Sequence, residues 1–281
     1  MCTLALYSRV FADYPIVAAA NRDELLARPS DPPLQLARKP WIWGGRDRVA
    51  GGTWLGVNAF GVMAGILNRQ SLLPPDPQRR SRGQLCLDAL RHRSAAQAAN
   101  HLVRSSPHDY NPFTLVIADA QQAYVLNTAP TTLVLHSLKP GLYLFTNRDF
   151  NDPSCPRIAR LRPHFQRLGQ TDQPVSFADL IPHLRRLMAD HGSSPPGLAD
   201  QKEGTCQPSY TDGGHVSSSD SPYQPDTRNS LCLHLDGYGT CSSSLLAYQT
   251  HTQSYHYLFA PGAPCEHPYE TVSLPPNRDL N

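Results

Sequence analysis

No Cys-x-x-Cys pair occurs among the seven cysteines of this 281-residue chain (Cys2, Cys86, Cys155, Cys206, Cys232, Cys241 and Cys265). An odd set without that spacing fits reduced thiols better than a disulfide framework or a zinc site, and at least one cysteine must stay free or pair between chains. The twelve histidines are scattered without a metal-ligand rhythm, and His251, His256 and His267 read as surface or packing residues. No apolar run approaches the roughly 18 residues needed to cross a bilayer. The opening Met-Cys-Thr-Leu-Ala-Leu-Tyr-Ser-Arg lacks the basic start, long apolar centre and small-residue cleavage site of a secretory signal. The expectation is a soluble, cytoplasmic protein without a membrane span. Charge is close to balanced, at +2, and no basic run interleaves with aromatics, which argues against a nucleic-acid partner. The one basic cluster, Gln78-Arg79-Arg80-Ser81-Arg82, reads as a solvated loop. Gly44-Gly45-Arg46 and Gly51-Gly52-Thr53 are not followed by Gly-Lys-Ser/Thr, so neither is a phosphate loop. Without a Cys-Pro or Cys-x-x-Cys-His signature for haem, no cofactor and no metal is expected.

What remains is enough to build a core: 40% of residues are hydrophobic and 17% charged, in a length that suits one domain over 1–281. Thr3-Leu-Ala-Leu-Tyr and Pro15-Ile-Val-Ala-Ala-Ala-Asn read as a strand hairpin. The Pro-rich stretch from Arg28 to Pro40 reads as irregular. Gly51-Gly-Thr-Trp-Leu-Gly-Val, a turn at Asn58-Ala-Phe-Gly, and Val62-Met-Ala-Gly-Ile-Leu-Asn follow as strand, turn and strand, with Gly61 suited to positive φ. Arg82 to Leu90 and Ser94 to Val103 have apolar residues at helical spacing, the second opened by Ser94 as N-cap. Four short apolar runs, starting at Phe113, Ala123, Thr131 and Gly141, suggest an antiparallel meander. Helices from Pro156 and Phe177 come next, then a Ser/Gly/Pro-rich insertion at 191–229 read as exposed. Strands at Leu231–Leu235, Ser243–Tyr248 and Ser254–Phe259 close the pattern before an irregular tail at 260–281. Strands, helices, strands, helices and strands in that order predict an α+β fold of antiparallel sheets covered by helices.

Cysteine at position 2 carries chemistry because methionine removal before a small residue leaves a thiol and a free α-amine on one residue. The amine, near pKa 8, can take the thiol proton itself or through a water. Alone, such a cysteine is more often a small residue at a strand start. It stands here beside Asn21-Arg22-Asp23-Glu24, which ends an apolar strand in more polar groups than a turn requires. With period 2, Asn21 and Asp23 share one face of that strand and Arg22 points to the other.

Asn-Arg-Asp-Glu after an N-terminal Met-Cys resembles the NRDE family of TANGO2-like proteins, and further matches follow in order. They are Arg28-Pro29, Gly51-Gly-Thr-Trp-Leu-Gly56, Asn68-Arg69, Ser81-Arg82-Gly83, Thr146-Asn147 with Asp152-Pro153, and Tyr238-Gly-Thr240. The resemblance spans residues 1 to about 260 apart from the insertion. It implies a four-layer αββα fold like that of the N-terminal-nucleophile (Ntn) hydrolases. It also implies that Cys2 attacks a carbonyl carbon with its own amine as base, that Asp23 holds the amine, and that Asn21 and Arg22 complete the set. Asn68 or Asn147 would donate to the oxyanion, each aimed donor contributing about 3 kcal/mol. The substrate would be a small-molecule amide or lipid-like ligand. In choloylglycine-type cysteine amidases the Arg and Asp lie three apart, whereas Arg22 and Asp23 are adjacent, and a structural ion pair of Arg22 with Glu24 or Asp47 is the competing expectation. Family members commonly follow Tyr-Gly-Thr with Arg, where this chain has Cys241. The resemblance also accommodates a non-catalytic binder or carrier, in lipid or haem handling or in secretory-pathway organisation, and leaves the oligomeric state open.

Overall fold

A computed structural model describes residues 2–71, 73–170, 175–192 and 229–276. Both faces of the first strand, β1 (Thr3–Ser8), are apolar or small, and all six residues are buried. Such a strand needs cover on each side. β2 (Ile16–Leu25) pairs with it antiparallel and continues through the Asn21-Arg22-Asp23-Glu24 segment. β3 (Ser30–Arg38), β4 (Trp41–Asp47), β5 (Leu55–Asn58) and β6 (Met63–Asn68) follow, then helices α1 (Arg82–Ala89) and α2 (Ala95–Leu102). After them come β7 (Phe113–Ala118), β8 (Ala123–Thr128), β9 (Leu133–Leu138), β10 (Gly141–Phe145), α3 (Pro156–Gly169) and α4 (Phe177–Met188). β11 (His234–Leu235), β12 (Tyr238–Gln249), β13 (Ser254–Ala260) and β14 (Glu270–Thr271) complete the chain.

The strands make two antiparallel sheets. One runs β10-β1-β2-β12-β13-β14, with β11 also on β12; the other runs β3-β4-β5-β6-β7-β8-β9. Alternation along β1 sorts its side chains. Leu4 and Leu6 join Met63, Val116, Phe145 and Tyr257 between the sheets. Ala5 and Tyr7 face Leu161 and Phe165 of α3 and Leu184 of α4. A third cluster, including Ile42, Leu85, Ala98 and Leu115, seals α1 and α2 onto the second sheet. The layers are thus helix, sheet, sheet, helix, the expected α+β arrangement. Among the described residues no helix is long and apolar enough to cross a membrane.

Several local expectations need correction. The stretch read as irregular contains β3, which survives its prolines because it is an edge strand, and its register shifts across Pro32-Pro33 between Asp31 and Leu34. Residues 51–54 are loop, and the strand starts at Leu55. β7, β8 and β9 form a meander, but β10 crosses to the other sheet and pairs with β1. The segment from Leu231 is extended only at His234–Leu235. The tail carries β14, and its Val272 and Leu274 pack on the inter-sheet core. Most of the proposed insertion and residues 277–281 lie outside the described residues.

Gly52 fixes the approach of the 51–54 loop to α1. Its φ is +80°, and a Cβ there would sit 2.2 Å from the Gly83 carbonyl carbon. Gly237 has a similar φ of +69° but open space around it. Gly237→Ala is therefore expected to cost about 1–2 kcal/mol for the left-handed backbone alone. Gly52→Ala should cost a further 1–3 kcal/mol, roughly, for the forced displacement. Denaturant unfolding of the two variants checks the difference; equal losses would mean that the loop moves freely off α1.

Candidate functional site

β2 runs between β1 and β12, and the candidate residues sit where these three strands end together. Thr3 pairs with Asn21, which brings Cys2 level with Arg22. On the other flank Asp23 pairs with Thr240 and Arg22 with Ser242, so Cys241 is the extra residue of a bulge. Cys2, half-buried, packs against the inter-sheet cluster, and its Sγ donates to the Asp23 carbonyl oxygen at 3.6 Å.

The alternation read from the sequence holds, with two consequences. Arg22 projects between the sheets, on the side of the Cys2 thiol, and its guanidinium lies 4.5 Å from the centre of the Trp54 ring. Only 6% exposed, its Nη1 has no hydrogen-bond partner among the described residues. The expected ion pair with Glu24 or Asp47 is not made: both carboxylates serve Arg28, at 3.9 and 2.7 Å. Asp23 and Asn21 face the helices. The Asn21 amide donates to the carbonyls of Met188 and Leu231, at 2.8 and 2.9 Å, so it ties β2 to the end of α4 instead of meeting Cys2.

Asp23 is held from three directions. Thr240 Oγ1 donates to Oδ1 at 2.7 Å, Arg157 Nη1 lies 4.0 Å from Oδ2, and that same nitrogen donates to Thr3 Oγ1 at 2.8 Å. Tyr238 donates to the Asp23 carbonyl at 3.0 Å. Burial raises the Asp23 carboxyl to about 6, against the pull of the chain's α-amine, Thr240 and Arg157. Burial also raises the Cys2 thiol, helped by the Asp23 charge and opposed by the α-amine and Arg22. A thiol so held stays protonated at rest and needs a base to become a nucleophile.

The thiol opens on a cleft of about 480 Å³. Arg22, Arg28, Arg79, Arg80 and Arg82 line it, against Glu24, Asp47 and Asp76. Arg28 is matched by Asp47 and Arg79 by Asp76, at 2.7 and 3.6 Å. Arg80 instead stacks on Tyr110, and Arg82 donates to the Pro112 carbonyl, so Arg22, Arg80 and Arg82 have no carboxylate partner among the described residues. Asn68, exposed at the end of β6, is part of the wall. Asn147 is not; it lines a separate shallow cavity with Arg69, Gln70 and Asp149, and its carbonyl accepts from the Gln70 N–H.

Sequence reasoning missed Arg157 and Trp54 as partners. Arg157 is 1% exposed and recurs with Leu161 and Phe165 at i, i+4 and i+8, so an arginine on the apolar stripe of α3 was the available signal. Trp54 lies so close over Gly45 that a Cβ there would sit 2.2 Å from the ring. The glycine inside β4 is the mark of that approach.

The raised Asp23 value fixes the sign of a pH effect. With its folded value near 6 and its ordinary value at 3.8, the native state holds the proton more tightly. The stability this gives is present below about pH 4 and is lost as pH rises through 6. Two pH units at about 1.4 kcal/mol each set a ceiling near 3 kcal/mol. The stability of the parent chain minus that of Asp23→Asn should fall by roughly 1–3 kcal/mol between pH 4 and pH 7. Denaturant titrations at both values check it; a difference that grows with pH would reverse the assignment.

The sequence profile of the Transport and Golgi organisation 2 (TANGO2) family matches residues 1–258. The chain is 27% identical over 252 residues to the Transport and Golgi organization protein 2 homolog of Homo sapiens, covering 83% of this chain and 82% of that protein. It is 30% identical over 248 residues to the Mus musculus homolog, covering 81% and 85%. Among solved structures it is similar to a Caenorhabditis elegans ortholog of N-acylethanolamine-hydrolyzing acid amidase. That match has TM-score 0.53 and 13% identity over 65% of this chain and 85% of the other. It is also similar to penicillin V acylase from Agrobacterium tumefaciens, with TM-score 0.52 and 13% identity over 98% of each chain. At these identities the structural likeness establishes the Ntn-hydrolase fold alone. The profile match over most of the length, together with the Asn21-to-Glu24 motif at the end of β2, makes this chain a member of the Transport and Golgi organisation 2 family.

Proposed function

We propose that this chain is an N-terminal cysteine amidohydrolase that cleaves a non-peptide amide bond in a small anionic or lipid-like molecule. The observation that carries the reading is Cys2 in the wall of the arginine-lined cleft, with the buried Asp23 carboxyl on the opposite side of the same strand end. Removal of Met1 would free the Cys2 α-amine, and the ionised Asp23 carboxylate would orient it. The amine takes the Sγ proton and the thiolate attacks the amide carbon. Asn68 donates to the oxyanion from the cleft wall, and Arg22 steadies the negative charge. The tetrahedral intermediate collapses, and the leaving amine departs with the proton from the α-ammonium. Water then hydrolyses the thioester by the same relay. Of the two solved structures above, one is named as an acid amidase and the other as an acylase, which supports the reaction class.

A binder without turnover is the second reading, favoured by Arg22, Arg80 and Arg82, which together ask for an anion whether or not chemistry follows.

Alkylation kinetics with peptide mapping separate the two. On the enzyme reading, Cys2 reacts with iodoacetamide at neutral pH at least tenfold faster than any other cysteine, and Asp23→Asn removes that advantage. If Cys2 reacts no faster than the rest, the binder reading takes its place. The charge of the cleft has its own signature. Relative to free cysteine, Cys2 should prefer iodoacetate over iodoacetamide severalfold at low salt, and Arg80→Gln with Arg82→Gln should abolish the preference. An unchanged ratio would mean that the arginines do not set the potential at the thiol.

A further inference from the structure

Spacing along the chain shows no metal-ligand rhythm, yet the fold gathers four candidate ligands. His191 follows α4, Cys232 and His234 flank the start of β11, and Cys265 lies in the turn after β13. One ligand atom from each falls within 4.8 Å of all the others. Three separations are given by side-chain contacts: His234 Nε2 to Cys265 Sγ at 3.1 Å, Cys232 Sγ to Cys265 Sγ at 3.5 Å, and Cys232 Sγ to His234 Nε2 at 3.6 Å. Bond lengths of about 2.3 Å to sulfur and 2.0–2.1 Å to nitrogen give a tetrahedral zinc site edges of about 3.3–3.8 Å. The three separations among Cys232, His234 and Cys265 lie within about half an ångström of such edges, and the His191 ligand atom lies within 4.8 Å of each of the others.

We propose that His191, Cys232, His234 and Cys265 form a structural zinc site on the helix-facing side of the first sheet. Two sulfurs and two imidazoles are the donor set that zinc takes in closed, four-protein-ligand sites, with no position left for water or substrate. The surroundings have the form of a second shell. His234 turns Nε2 to the sulfurs while its Nδ1 lies 3.6 Å from Glu266 Oε1, and the second nitrogen of a ligating imidazole commonly finds such a partner. Backbone bonds set the spacing: the Asp190 carbonyl accepts from both Leu231 N and Cys232 N, at 3.0 and 2.9 Å, which holds His191 beside Cys232. Arg160 Nη1 anchors Asp190 through its carboxylate at 3.0 Å.

The ion would act as a clip. It would join residue 191, where the chain leaves α4, to residues 232 and 234, where it enters β11, and pin both to the turn after β13. From there the connection to Asp23 is short. Leu233 N donates to Thr240 Oγ1 at 2.9 Å, and that hydroxyl donates to Asp23 Oδ1. The site therefore steadies the strand that presents Thr240, without touching the cleft.

Full-length chain purified without a histidine tag and under reducing conditions should contain about one zinc per chain by elemental analysis. Cys265→Ser, at a half-buried position, and His234→Ala, at an exposed one, should lower that content at least tenfold while circular dichroism shows folded protein. After removal of zinc by a chelator, added Co²⁺ should give the intense visible bands of tetrahedral thiolate coordination. Added Zn²⁺ should raise the thermal midpoint of the parent chain but of neither variant. Folded, reduced protein that yields no cobalt bands would overturn the proposal. So would zinc content undiminished in both variants, or a Cys232–Cys265 disulfide in freshly isolated protein.

Discussion

A carboxylate buried at the end of a strand has to be answered, and the arrangement around Asp23 follows from that demand. Its neighbours β1 and β12 each supply a hydroxyl, Thr3 and Thr240, and α3 supplies Arg157, whose guanidinium reaches both Thr3 and the carboxylate. An arginine with 1% of its surface exposed would be costly without such a partner, and the carboxylate would be costly without the arginine. Each makes the other tenable. The result fixes the relative positions of three strands and a helix at the point where the chain begins.

The second constraint is the pleat. Because successive residues of β2 point to opposite faces, the buried ionic group at Asp23 and the cleft-facing Arg22 cannot mix. One face of the strand is structural and helix-covered, while the other opens between the sheets on Trp54 and the arginine-lined cleft. The thiol of Cys2 falls on the cleft side, so Asp23 is suited to hold an α-amine and not to touch the sulfur. The bulge at Cys241 belongs to the same economy of space. The extra residue lets Thr240 meet Asp23 while Ser242 still pairs with Arg22.

Much of this was legible in the sequence. Short apolar runs marked β1 and β2, helical spacing with a serine cap marked α2, and the alternation of Asn21, Arg22 and Asp23 was correct. Prolines concealed β3 because an edge strand tolerates what an inner strand does not. The departure of β10 from the meander was invisible because each short apolar strand suits either sheet. Asn21 was expected in the candidate set, but its amide is spent on two carbonyls from segments far along the chain. Asn147 follows its strand into a neighbouring hollow. The cysteine and histidine ligands escaped notice because they come from three segments, and local spacing speaks only for ligands on one.

The proposed chemistry requires that Cys2 bear a free α-amine. The intact mass of the purified chain, measured by mass spectrometry without derivatisation, decides it most directly. The expected mass is that of the chain lacking Met1, with no acyl group on the new terminus. A mass that retains Met1, or an acetylated Cys2, would leave the thiol without its base and contradict that chemistry.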